Sequence, residues 1–441
     1  MIRFALLSGF FLVLSLEEIL DLGLMLTPGL SAKNAFLFVL VVVVAFTRAS
    51  ERREAGLQLP DLHALFLILL TLAFIGIFYR QFVSGYSLTF SLVGELGLVK
   101  SVIVDSYLML LVFFYGVVSR KAAMALSKCI LLIISFMALV TIADLLGVSS
   151  LGLISYRNER LEGPLGQANE YAVFLSFFIP FLLLGALNGR GIVVRLIYLL
   201  GALVSFALLI QTGSRGGFVS LVGGIALAGI WLSGGYDLRR AFLWGATGVF
   251  AAAGIVTAVA LSNEVVRELL ITRLELSFSG GLEEASAGRT WIWMQGLDDL
   301  LARPWRLLTG FGLGQFTERV GIPPHSAYMN YLHALGLIGL AAYVIIVARI
   351  LILGRRAFFS EAATAEERTL IAGLVIAWFA LTIAMVTGTI YKAWLFVWPM
   401  TGLCLYVTSC IRDAERERGG VEKEKEVEPF IKPFEQIGLK T

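Results

Sequence analysis

Histidine is scarce in this chain: His63, His325 and His333 are the only three. Imidazole is the side chain best matched to accepting a proton near neutral pH. His325 follows Pro323-Pro324 and precedes Ser326, at the start of an expected helix whose positive end lowers its basicity. A neutral ring there can take a proton from a hydroxyl, or else cap and pack. His333 lies about two turns deeper and rotated away, where a satisfied bundle histidine is the simpler reading. His63 opens a different expected helix and reads as structural.

Arginines are the other chemical resource. Thr212-Gly-Ser-Arg215-Gly-Gly217 joins two apolar segments by a glycine-rich turn, where backbone N–H groups and a guanidinium could hold a phosphate. Contact with lipid headgroups is the plainer use of Arg215. Arg289 begins a helical pattern that runs to Arg303-Pro304. A cation is disfavoured at that end of a helix, so either a bound anion offsets the cost or the side chain snorkels to an interface. Arg157 and Arg160 stand beside Glu159 and Glu162, with which pairing is the simpler use.

Other chemistries lack their residues. No D-x-D or E-x-D occurs, and Asp298-Asp299 are adjacent helix positions pointing about 100° apart. The expectation is therefore no metal and no cofactor. There is no Walker motif and no serine nucleophile elbow. Gly310-Phe-Gly-Leu-Gly314 reads as a flexible connector, because no strand precedes it. Cys129, Cys404 and Cys410 fall in or at the ends of apolar segments and read as packing residues.

The elements that must position these groups follow from composition. The chain has 441 residues, 58% hydrophobic and 15% charged, with a mean hydropathy of +0.85. So few ionisable side chains cannot clothe a water-soluble surface of this size. Continuous apolar runs such as Leu62 to Phe78 lack the alternation of a membrane β-barrel strand. The expected fold is all-α and polytopic, with about 12 transmembrane helices of roughly 20 residues each. They are expected near 3–16, 35–47, 62–79, 95–118, 129–147, 170–187, 196–211, 217–233, 241–261, 326–353, 370–387 and 394–411. The N-terminal run reads as a retained helix, since no small-residue cleavage site follows it.

Alternate connections collect Lys and Arg, among them Arg52, Arg53, Arg120, Lys121, Arg239, Arg240, Arg355 and Arg356. The positive-inside rule makes those loops cytoplasmic, with both termini inside. A membrane domain then spans 1–411, with a long outer loop at 262–325 and a charged, solvated tail at 412–441. Within the loop, Trp293, Leu297, Leu300 and Leu301 are expected on one apolar side of a helix lying on the membrane surface.

These pieces together resemble a family. His325-Ser326, nine residues and then Gly336-Leu-Ile-Gly339 is similar to the H-[NSQ]-x9-G-x-x-G signature of bacterial O-antigen ligases. Arg160 with Gly163-Pro164 and Asn169, the Thr212–Gly217 turn, and Arg289 with the 310–314 glycines follow the order of that family and of the related O-antigen polymerases. The resemblance implies a GT-C-type, metal-independent, inverting glycosyltransferase in the bacterial inner membrane, with its active site on the periplasmic side. Its partners would be an undecaprenyl-pyrophosphate-linked glycan donor, a lipid A-core acceptor of lipopolysaccharide biosynthesis, and membrane lipids, with no nucleic acid. A polymerase would join lipid-linked repeat units instead. The family's base carries over to His325 and its pyrophosphate-binding arginines to Arg215 and Arg289, with Arg157 or Arg160 as a third. Many members have a glutamate where this chain has Ala334, leaving Tyr328, Asn330 or a backbone carbonyl to orient His325. A transporter or flippase is the alternative of another class, with Lys100, Asp105 and Asp144 as its intramembrane charges.

Overall fold

The computed structural model describes residues 2–20, 25–27, 30–50, 59, 62–82, 92–148, 156–157, 160–188, 191–233, 288–388 and 392–435. The protein is an all-α polytopic membrane protein. Among the described residues, nine helices are long and apolar enough to cross a bilayer, and Ala32–Thr47 is a shorter apolar helix. The helix Ile2–Leu20 precedes them. The span expected near 241–261, and the outer loop up to residue 287, lie outside the described residues.

Sequence determines which helices sit inside. Ala168–Asn188 is apolar all round, and it is among the most buried helices. It carries Pro180 in its interior, a residue that neighbouring helices make tolerable in a membrane bundle. The helix Trp394–Glu435 is buried along its apolar half, where Trp394 and Trp398 stack at 5.4 Å and Trp398 meets Trp378 at 5.4 Å. Ile192–Gln211 leaves Val193, Leu196, Leu200 and Leu203 exposed, as a lipid-facing helix must.

Several boundaries differ from expectation. The helix expected from 129 starts at Arg120, capped by Ser119, whose hydroxyl accepts from the Ala122 N–H. The last helix does not stop at 411 but runs on to Glu435. Between Leu92–Val99 and Asp105–Tyr115 the chain makes a π-helical turn, Lys100–Val104. That wider turn brings residues five apart together, and Lys100 Nζ meets Asp105 Oδ2 at 2.7 Å. The two intramembrane charges thus neutralise each other.

The loop helix Arg289–Leu301 buries Ile292, Gly296 and Leu300. This corrects the expected apolar face: Leu301 is exposed, and Trp293 and Leu297 are half-buried. The stripe is set by packing on protein, where the ring of Phe316 lies against Gly296, so close that a Cβ there would stand 2.4 Å from Phe316 Cε2.

Candidate active site

A cleft of about 130 Å³ opens where four helices begin. Asn169 from the first turn of Ala168–Asn188 lines it, as do Arg215, Gly216 and Gly217 from the start of Arg215–Leu232, and Arg289 from the start of the loop helix. The fourth beginning is that of the histidine helix Ala327–Phe359, whose Ala327 N–H donates to the carbonyl of Gly388, a lining residue, at 3.0 Å. Each helix N-terminus carries partial positive charge. Arg160, Arg215 and Arg289 add three guanidinium groups, and no carboxylate is among the lining residues described.

Local chemistry fixes these groups. Ser214 caps the arginine helix by accepting from the Gly217 N–H, and its hydroxyl donates to Asn169 Oδ1 at 3.2 Å. Arg160 donates through Nη2 to the same Asn169 oxygen at 2.6 Å and through Nε to the Thr212 carbonyl at 2.9 Å. A short antiparallel pair, Tyr156–Arg157 with Arg160–Leu161, sets Arg160 opposite Arg157 along the backbone. Gly217 is required for closeness, because a Cβ there would lie 2.7 Å from the Ala172 Cβ.

Arg289 feels Arg215. Burial and the Arg215 charge both push its pKa down, so the two cations oppose each other in a half-buried place. A guanidinium keeps its proton even so, and an anion between the two relieves the repulsion.

His325 stands beside this group, half-buried, with φ of 47°. No other non-glycine residue described has positive φ, and such strain tends to persist where surrounding contacts enforce it. Those contacts lie on both sides. Trp293 of the loop helix donates its indole N–H to the carbonyl of the preceding Pro324 at 2.8 Å. The following Ser326 caps the histidine helix, its hydroxyl accepting from the Met329 N–H at 3.4 Å and lying 3.4 Å from the Met385 carbonyl. Burial, and then the Arg289 charge, hold the His325 pKa below its ordinary value of 6.5. Tyr328, weighed as an orienting group, donates instead to the Thr382 carbonyl at 3.0 Å.

The loop helix is locked from its other end. Asp299 accepts from both Arg319 and His333, with His333 Nε2 to Asp299 Oδ2 at 3.1 Å. Burial would raise the Asp299 pKa, but the hydrogen bonds from His333 and Arg319 outweigh it and hold it low. His333 is therefore a bonded bundle residue.

The glycine stretch is docked, contrary to its reading as a flexible connector. Gly336 breaks the histidine helix with φ 70° and ψ −172°, which frees carbonyls in the turn before it. The Phe311 N–H donates to the His333 carbonyl and the Gly312 N–H to the Ala334 carbonyl, both at 2.9 Å.

The structure thus gathers His325, Arg160, Arg215 and Arg289 about one cleft end. The backbone of Arg157 adjoins it, but its side chain lies outside the described residues. Sequence reading did not anticipate Trp293 as the clamp on Pro324 or Asp299 as the clamp on His333, since neither spacing carries a signal. It also gave no hint of Thr387 and Gly388, contributed by the far end of Ala365–Thr387. No group of three or more His, Cys, Asp or Glu side chains that could hold a metal occurs among the described residues.

No curated protein matches the chain in a sequence comparison. A family model described as O-Antigen ligase matches residues 199–344, about a third of the chain. That segment contains Arg215 and Arg289, which line the cleft, and His325, Gly336 and Gly339 of the histidine motif. Over that segment the chain is similar to the O-antigen ligase family.

Proposed function

We propose that this protein is a ligase-type glycosyltransferase of twelve spans and GT-C-type architecture. It moves a glycan en bloc from undecaprenyl pyrophosphate to a hydroxyl of a lipid A-core acceptor at the periplasmic face of the bacterial inner membrane. The observation that carries the reading is a strained, half-buried imidazole of lowered basicity beside a cleft of three guanidinium groups and converging helix N-termini, with no carboxylate among its described lining residues.

His325 accepts the proton of the acceptor hydroxyl through a ring nitrogen. The hydroxyl oxygen forms a bond to the anomeric carbon as the bond from that carbon to the pyrophosphate oxygen breaks. Attack opposite the leaving group inverts the stereochemistry. The electron pair departs with the pyrophosphate, and Arg215 and Arg289, with Arg160 behind them and Arg157 adjoining, stabilise the charge that grows there. Guanidinium groups already fixed in a partly desolvated place do this without a divalent ion.

The test uses the purified protein with an undecaprenyl-pyrophosphate glycan, scoring transfer to a core-lipid acceptor and to a second lipid-linked repeat. Transfer to core lipid is expected, unchanged by a chelator. Lengthening of the lipid-linked glycan alone would reassign the protein to the polymerases. His325→Ala should lower the rate by about 10² to 10⁴, the usual contribution of a general base. Full activity in that variant removes His325 from the mechanism.

A further inference from the structure

A second cavity lies at the opposite membrane end from the arginine cleft. Its volume is about 370 Å³, within the roughly 300–1,000 Å³ typical of small-molecule sites. Its walls come from the far part of the histidine helix, from Trp394–Glu435, and from Leu59 and Phe114. Three guanidinium groups line it, Arg356, Arg412 and Arg416, against the single carboxylate of Glu415.

The polarity of this cavity is layered along the helix axis. Trp394 begins its helix at the cleft end, and Arg412 follows 18 residues later, about 27 Å along the axis. That distance is close to the roughly 30 Å thickness of bilayer hydrocarbon, so Arg412 reaches headgroup level. Leu405 sits about two turns deeper than Arg412, and Leu353 about one turn deeper than Arg356. Thr408 and Ser409 lie between the apolar and the charged layers. Nη2 of Arg412 donates to Ser409 Oγ at 3.3 Å, while its buried Nε makes no hydrogen bond among the described residues and stands 3.8 Å from Asp413 Oδ1.

We infer that this cavity binds an acidic phospholipid from the leaflet at that end. The phosphodiester would lie against Arg356, Arg412 and Arg416, and the apolar wall would face the acyl chains. The order of apolar, hydroxyl and cationic layers matches the order of acyl chain, glycerol ester and phosphate. A free phosphate has no use for the apolar layer, and a zwitterionic lipid brings a cation of its own to three guanidinium groups. The inference is independent of the glycan-transfer reading, because it rests on none of the residues of the cleft.

The experiment is native mass spectrometry of the full chain in detergent, titrated with phosphatidylglycerol, with phosphatidylcholine of the same acyl chains, and with glycerol 3-phosphate. One phosphatidylglycerol is expected to be retained in preference to phosphatidylcholine, and glycerol 3-phosphate should fail to displace it. Arg412→Gln with Arg416→Gln should weaken binding about thirtyfold, given the attraction of acidic lipid for each basic residue near the surface. Lys121→Gln, at an exposed basic residue outside the cavity, should leave binding unchanged. Should the double variant unfold, Arg356→Gln alone is expected to weaken binding about fivefold. Equal binding of the two lipids, wild-type binding by the arginine variants, or an equal loss in Lys121→Gln overturns the proposal. Displacement by glycerol 3-phosphate overturns it in favour of a free phosphate.

Discussion

At the scale of single residues, the pairing of His325 with Arg289 makes a prediction with a definite sign. A base works when unprotonated, so the rate should fall as pH drops through the pKa of His325. Burial and the Arg289 charge hold that pKa below 6.5, so the acid limb of the pH–rate profile should lie on the acid side of 6.5. Arg289→Gln removes a neighbouring positive charge and makes the imidazolium less costly. The acid limb should then move to higher pH, in addition to any loss of donor binding. A profile whose acid limb stays in place would uncouple the two residues. Arg215→Lys tests the other side of the cleft. It keeps the charge but loses the two-pronged fork that matches phosphate oxygens. Donor binding should weaken, read as a raised KM for the lipid-linked glycan, and an unchanged KM would remove Arg215 from the pyrophosphate site. Neither the Arg215–Arg289 opposition nor the Trp293–Pro324 bond is written in local sequence. The residue types were legible from their contrast with an apolar chain, whereas their meeting depends on how distant segments pack.

At the scale of elements, the break at Gly336 holds the site's frame. It frees the carbonyls that receive Phe311 and Gly312, and those bonds dock the segment connecting the loop helix to the histidine helix. A Cβ on Gly336 would lie 2.2 Å from the carbonyl carbon and oxygen of Leu308, in a backbone conformation reserved for glycine. Gly336→Ala should therefore cost at least about 1–3 kcal/mol in backbone strain alone. Thermal unfolding in detergent should show the loss, and transfer should fall with it. Gly97→Ala provides the control, since Gly97 sits inside a helix with nothing within 4 Å of an added Cβ. It should be neutral or slightly stabilising. Equal unfolding temperatures for wild type and Gly336→Ala would show that the break is not needed. Apolar runs revealed most spans to within a few residues, because burial or lipid contact dictates their composition. The loop helix was legible as a helix but not in its buried face, since its stripe is chosen by Phe316 packed on Gly296 rather than by the largest apolar side chains.

At the scale of the whole molecule, helix directions place the two ends of the bundle without reference to loop charges. The arginine helix and the histidine helix both begin at the cleft, while Ala365–Thr387 ends there. Arg356 and Arg412, at the other ends of their helices, belong to the opposite face. This agrees with the clustering of Arg355, Arg356 and Arg368 that the positive-inside rule assigns to the cytoplasm. Backbone direction and residue charge are independent properties of the chain. Both put His325 and Arg412 at opposite ends of the bundle. Single cysteines test this in a variant whose Cys129, Cys404 and Cys410 are replaced. Gly321→Cys, in the exposed connection before His325, should react with a membrane-impermeant maleimide added to spheroplasts. Glu417→Cys, exposed beyond the end of the last span that lies away from the cleft, should react only after the membrane is opened. Labelling of both from outside, or of Glu417→Cys alone, contradicts the orientation. The cleft would then face a compartment that holds no periplasmic acceptor, and transfer to a core lipid would have no place to occur.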